Sequence, residues 1–303
     1  MGCQTCGDAA SPEHHECQRC YTPLGQPAVT PGLPTYSVRG IGLAARIAVG
    51  ATAVLYLVAA LAPQLAGLVL ARQARDDGDT DLLVGAAVVE ALLALPMLAA
   101  YLTAAVLVII WTWRARKNIE AFPGALPSLA AGWAIAGWLV PFANFVMPAR
   151  VMANVARASL WRRFTPDLVY VWWAAWLVFI VGERLVSRLG GQAYDKLPEI
   201  PFTDAGYQAY IDYYRDSLLR NAVPAVACVV AAVALIVLVR RISTMQEARI
   251  ARAMPAWPVA APGWPAPPVL GAPVPGEPAP TALPPTTTVS PQGAPAAGGT
   301  IGA

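Results

Sequence analysis

Hydrophobic positions in this chain come in long unbroken blocks rather than at the spacing of a soluble core. Four blocks are long enough to cross the roughly 30 Å hydrocarbon layer, which takes about 20 helical residues. They cover residues 41–70, 82–113, 168–189 and 222–239. Lipid offers no partner to an open backbone, so each is expected to be a helix. The first two contain Pro63 and Pro96 and exceed the minimum span, which predicts tilt, a kink or protrusion into the interface. A fifth block, 129–147, is broken by Pro141 and Asn144 and closed by Pro148, leaving 12 uninterrupted residues up to Val140. A stretch that short fits a re-entrant or interfacial segment better than a span. The expected fold is therefore an all-α membrane protein with four transmembrane helices and one re-entrant or interfacial segment.

Charge supports that division. If the fifth block does not cross, 14 Lys and Arg fall on the side of both termini and 7 on the other; if it crosses, the best split is 11 against 10. The positive-inside rule favours the first version, with both termini cytoplasmic. Composition agrees: 57% of residues are hydrophobic and 13% charged, against about 25% charged in a typical soluble domain. A net charge of +3, widely dispersed, gives no footprint for nucleic acid. Only two of the 21 basic residues, Lys117 and Lys196, are lysine. With abundant Ala, Gly and Pro, this suggests a GC-rich, actinobacterial source and hence a bacterial plasma membrane. No cleavable signal is expected, because a polar arm precedes the first apolar run.

Outside the spans, 150–163 interleaves arginines with apolar residues, as a helix lying on anionic headgroups would. Tyr207, Tyr210, Ile211, Tyr214 and Leu218 fall at helical spacing and predict an aromatic face at the outer interface. From 254 to 303 the chain holds 14 of its 29 prolines and one charged residue, Glu277. Such a segment is expected to be a disordered, partly polyproline-II extension. The resulting division is 1–25 ribbon, 26–38 Pro-rich linker, 39–244 helical membrane domain and 245–303 tail.

The strongest chemical signal lies in the arm. Cys3-x-x-Cys6 and Cys17-x-x-Cys20 form a CxxC…CxxC pair with ten residues between Cys6 and Cys17. Four thiolates surround one tetrahedral ion, and zinc as a structural cofactor is expected. So short an arm has no apolar core, so the metal would supply its folding energy. Two disulfides or a redox dithiol are the alternatives, disfavoured by a cytoplasmic location and by the lack of a βαβ context. His14 and His15 read as spare linker residues, and Cys228, inside an apolar span, as a small buried hydrophobe.

Charges inside the spans are expensive and often functional. Glu90, Glu183 and Arg184 lie at comparable depth near the outer ends of the second and third spans, and a bundle-facing Glu90–Arg184 pair that packs the helices is expected, with outward snorkelling as the alternative and a proton or ion relay less favoured. With Asn144 they form a candidate polar site in the membrane.

Trp111-x-Trp113-Arg114-Ala115 with Asn118, followed by Trp138-Leu139-Val140-Pro141-x-x-Asn144-x-x-x-Pro148, carries a family pattern that Ser159, Trp161 and Trp172-Trp173 extend. On these residues the chain resembles a bacterial membrane family known as domain of unknown function 4328, over roughly residues 39–244. The resemblance implies the fold and no activity. Physically, Arg114, Arg116 and Lys117 close a helix at a membrane surface. Pro141 frees a carbonyl that Asn144 satisfies, or Asn144 contacts a ligand.

Three functions compete. A membrane-anchored interaction or regulatory protein, recruiting a cytoplasmic partner through ribbon or tail, fits best. A small-molecule or ion transporter or channel component is second, since no internal repeat is visible. An enzyme is least favoured: there is no HExxH, GxSxG or P-loop, and Glu90 and Glu183 form no recognisable acid/base pair.

Overall fold

A computed structural model describes residues 2–9, 15–20, 22–125 and 127–253. His14 and the proline-rich segment from 254 lie outside the described residues. Among the described residues six α-helices follow in order: α1 Arg39–Asp77, α2 Val84–Asn118, α3 Trp133–Leu139, α4 Met147–Leu160, α5 Asp167–Tyr194 and α6 Asp204–Ala253. Among the described residues there is no strand, only two isolated bridges in the arm. Four helices (α1, α2, α5 and α6) are long and apolar enough to cross a membrane.

These helices overrun the apolar blocks that predict them. At 1.5 Å per residue, the 50 residues of α6 extend about 75 Å, more than twice the hydrocarbon layer. Its start is capped by Thr203, whose hydroxyl accepts from the Gly206 backbone N–H at 3.2 Å. Its other end runs past 244, so residues 245–253, assigned to the tail from sequence, are helical. The tyrosine face also differs from expectation. Tyr210, Ile211 and Tyr214 are buried around Ala71 of α1, with Leu68, Leu83 and Leu197 against them. Close approach requires a glycine: a Cβ on Gly67 would stand 2.3 Å from the Tyr214 ring.

The spans pack in the sequence α2–α1–α6–α5, while α2 and α5 do not form a packed pair. A groove is therefore left between α2 and α5. The fifth apolar block makes only the seven-residue α3 and a 3-10 turn at Ala143–Phe145. It returns to the end from which it came, as a re-entrant element does. Trp138 of α3 meets Trp173 and Trp176 of α5 edge-on, with centroids 6.4 and 5.8 Å apart. The following α4 is amphipathic, but its apolar face is not turned to lipid. Val151, Met152, Val155 and Ala156 are buried in the principal core with Trp111, Trp172, Leu238 and Ile242. The arginines of α4, Arg150 and Arg157, remain exposed.

Candidate functional site

The arm folds as two knuckles. Cys3 N–H donates to Asp8 O at 2.8 Å and Cys17 N–H to Thr22 O at 2.9 Å, closing each CxxC turn. Gly7 sits at φ +79°, a conformation that a residue with a Cβ rarely adopts. The turns bring four sulfurs together, with Cys3–Cys20 and Cys6–Cys17 each 3.5 Å apart and all four within 4.8 Å of one another. All are free thiols. Bonds of about 2.3 Å to a central tetrahedral ion place sulfurs about 3.8 Å apart, so the donor set fits a soft divalent metal.

Electrostatics differ among these thiols. Burial alone raises Cys3, but the backbone N–H groups of Cys6 and Thr5, with Cys20 and Thr22, favour its thiolate and hold it down at about 6. Burial pushes Cys6 up to about 12, reinforced by the thiols of Cys17, Cys3 and Cys20. Cys20 is also raised, first by burial. The Thr22 hydroxyl lies 2.9 Å from Cys20 Sγ, supporting its sulfur from outside the cluster.

The cluster is fastened to the helical bundle. Trp161, at the left-handed end of α4, packs on the buried cysteines. Arg252 near the end of α6 donates to the backbone carbonyls of Gln4, at 3.0 Å, and Thr5. Arg249 is 2% exposed, donates to Ala28 O at 2.7 Å and Pro123 O at 3.2 Å, and lies 4.3 Å over the Phe122 ring. The 26–38 segment is no free tether either: Ala28 and Val38 are buried, and Thr30 N–H donates to Ala121 O at 2.8 Å.

The family-pattern residues prove to be the fasteners of this end. Trp111 is fully buried and its indole N–H donates to Ser243 Oγ at 2.9 Å. Asn118, also fully buried, accepts from Tyr36 N–H at 2.7 Å and donates to Tyr36 O at 2.8 Å and to Gln246 Oε1 at 2.9 Å. Gln246 completes the network by donating to Ala115 O at 3.0 Å and Ser159 Oγ at 2.8 Å. Arg114 donates to Ser37 O at 3.2 Å. Sequence reasoning missed Ser243, Gln246 and Glu247. Glu247 Oε1 accepts from Ser37 Oγ and from the Val38 and Arg39 N–H groups, capping α1 from another helix. Their signal was a stripe at helical spacing (Ile242, Gln246, Arg249 and Ile250), buried throughout.

The polar membrane residues do not gather as expected. Among the described residues no ion pair joins Glu90 to Arg184, and both are exposed. Glu183 instead accepts a hydrogen bond from Tyr56 Oη of α1. Successive helical side chains point about 100° apart, so Arg184 faces away once Glu183 faces in. The cation that shares a cavity with Glu90 and Glu183 is Arg220, 5.6 Å from the Tyr213 ring centroid. That cavity, about 740 Å³, opens at the end of the groove remote from the ribbon. A second cavity of about 300 Å³ lies nearer the ribbon end, apolar but for a few groups, with Trp138, Leu139 and Asn144 of the re-entrant segment along it. Tyr56, Met97 and Phe179 border both. Asn144 Oδ1, Gln64 Oε1 and Arg220 Nε are buried along the groove without a hydrogen-bond partner. Pro141 and Pro148 shape the re-entrant turn, Pro148 at the first turn of α4.

Fold and site define an integral membrane protein of four apolar helices, with a four-cysteine cluster of metal-binding geometry at one end. Within that class the chain belongs to the family described as Domain of unknown function (DUF4328), whose model matches residues 74–244, more than half its length. The match begins late in α1, short of the start near residue 39 that the resemblance implies. No curated protein and no solved structure matches it.

Proposed function

We propose that this is a membrane-embedded interaction or regulatory protein of the bacterial plasma membrane, with both termini cytoplasmic and a structural zinc held by Cys3, Cys6, Cys17 and Cys20. One observation carries the reading: the cysteine cluster is held on the bundle by Trp161 and Arg252, and the linker behind it by Arg249 at Ala28, instead of hanging free. A zinc bound by four thiolates carries a net charge of −2, and the two arginines supply compensating charge beside it. The ribbon then presents a fixed, polar surface to a cytoplasmic partner and reports its metal state to α6. The arginine-rich end of the bundle favours this orientation. The role assigned is recruitment and not catalysis, and Glu183, one of the acidic groups inside the spans, is engaged with Tyr56.

The test is site-specific photocrosslinking in living cells from Arg19, exposed on the ribbon, and from Tyr170, exposed on α5. A protein adduct formed from position 19, absent from position 170 and lost in C3S/C17S supports the reading. Equal adducts from both positions, or adducts indifferent to the cysteines, refute it. Single-cysteine labelling at Asp79 and Gly191 from outside intact cells, with Ser128 protected, tests the orientation separately.

The groove favours a second reading, a component that binds or moves a small lipid-like molecule. Its apolar portion and its polar far end, where Gln64 Oε1 and Arg220 Nε are buried without a partner, have the character of an amphiphile's two halves. Lipid co-purifying with the parent protein and lost in A104W, which fills the apolar cavity, would support it. An unchanged lipid complement would exclude it.

A further inference from the structure

Docking of the ribbon creates a cleft that neither the ribbon nor the bundle has alone. It encloses about 850 Å³ between Glu16, Cys20 and Thr22 on one side and the end of α4 with the following turn on the other. Four arginines line it: Arg157 on α4, Arg162 and Arg163 in the turn, and Arg249 on α6. Among the described residues Glu16 is the one acidic residue along its wall. Among the described residues no carboxylate lies within ion-pair distance of Arg157, Arg162 or Arg163. Arg249 is preset by its carbonyl bonds and by the Phe122 ring.

Trp161 lines the same cleft and packs on the buried cysteines beside it. The Trp161 backbone is also held at φ +49°, a conformation that costs a non-glycine residue of order 1 kcal/mol and recurs at ligand sites. Bending the chain there sets Arg162 and Arg163 on the same cleft as Arg157, where a continued helix would carry them around its axis.

We infer that this cleft binds a phosphate group, with Arg157, Arg162 and Arg163 as its charged donors. Guanidinium forks match tetrahedral oxyanions in two-point contact. Phosphate reaches this position from two sources, the headgroup of an anionic lipid at the adjoining membrane surface or a soluble phosphorylated molecule. Phe164, 79% exposed at the mouth, suits contact with either an acyl region or an aromatic base. The site goes beyond the recruitment reading and does not depend on it, because it requires neither a protein partner nor an assigned orientation.

The test uses the full chain, metal-loaded, in neutral detergent, by thermal unfolding and native mass spectrometry. Inorganic pyrophosphate is the soluble probe, with chloride at matched ionic strength as its control. Phosphatidylglycerol is the lipid probe, with phosphatidylcholine as its control. A saturating probe should raise the unfolding midpoint by about 5–10 °C. R157Q/R162Q should lose most of that rise, while R240Q/R241Q, which removes equal charge from exposed positions outside the cleft, should keep it. A response to one probe alone identifies the source; a response to both assigns the site to the phosphate itself. No response to either probe overturns the inference, as does equal loss in the two double variants, which would mean diffuse surface charge. Should R157Q/R162Q unfold, R163Q read by equilibrium dialysis with radiolabelled pyrophosphate gives the answer. A Kd weakened about tenfold is expected, and an unchanged Kd overturns the site.

Discussion

Replacing Asn118 with alanine should loosen the whole ribbon end, and the cost follows from the bonds it removes. The side chain is fully buried and makes three hydrogen bonds, two to Tyr36 and one to Gln246 Oε1. Gln246 is itself fully buried, so its Oε1 would be left unsatisfied at about 1–3 kcal/mol. Tyr36 is half-buried and partly recovers water, so its two lost bonds cost about 0.5–1.5 kcal/mol each. Together these give roughly 2–6 kcal/mol. For a chain of this size each kcal/mol moves the midpoint by about 2–4 °C, so a fall of at least about 4 °C is expected. The assay is tryptophan fluorescence on heating in detergent, with Gln246→Ala and the double variant alongside. Because both single changes break the same bond, the double variant should be milder than their sum by about 0.5–3 kcal/mol. A fall below 1 °C for N118A, or strict additivity with Q246A, would refute this account of the network.

Three other outcomes are expected. Trp161→Ala removes the ring that packs on the buried cysteines and should weaken metal retention against a competing chelator about tenfold; unchanged retention would mean that the ribbon is held without it. Gly67→Ala puts a Cβ 2.3 Å from the Tyr214 ring and should destabilise by about 1–3 kcal/mol, whereas Gly190→Ala meets nothing within 4 Å and serves as its control in the same thermal assay. Metal uptake should release protons and tighten as pH rises. At neutral pH Cys3, held at about 6, is already largely thiolate, whereas Cys6, at about 12, and Cys20, also raised, must each give up a proton. Calorimetry in buffers of different ionisation enthalpy should therefore find about two or more protons released per metal; none would contradict these environments.

The spans, the re-entrant segment and the cysteine cluster were all legible in the sequence, because each rests on a local rule: apolar run length, interruption by proline, ligand spacing. What escaped depended on rotation about a helix axis or on partners remote in sequence. Glu90 and Arg184 share a depth, but depth says nothing of azimuth, and Glu183 took the inward direction. The tyrosine face near Tyr210 was correctly seen as a face, yet its partner was Ala71 of α1 and not the interface. The α4 stripe was likewise visible, but an amphipathic helix looks the same whether it lies on headgroups or on protein. Asn118 stood out in the family pattern with no role, since Gln246 is 128 positions away along the chain.

One helix joins the separate features, which bears on how they work together. Cys228 and Leu235 of α6 line the apolar cavity, Ser243 and Gln246 hold Trp111 and Asn118, Arg249 holds the linker at Ala28, and Arg252 holds the ribbon at Gln4. Between residues 225 and 253 α6 contains no proline, and its buried face is almost continuous. The interruption lies at Pro224, which lacks the N–H that would bond to the Arg220 carbonyl four residues earlier. Pro224 packs against Gly182, next to Glu183, and Arg220 lines the polar cavity. Helices bend where the ladder of hydrogen bonds is broken. The cysteine cluster and the groove are therefore attached to the same helix, the cluster near its end at Arg252 and the apolar cavity along the uninterrupted length that follows Pro224.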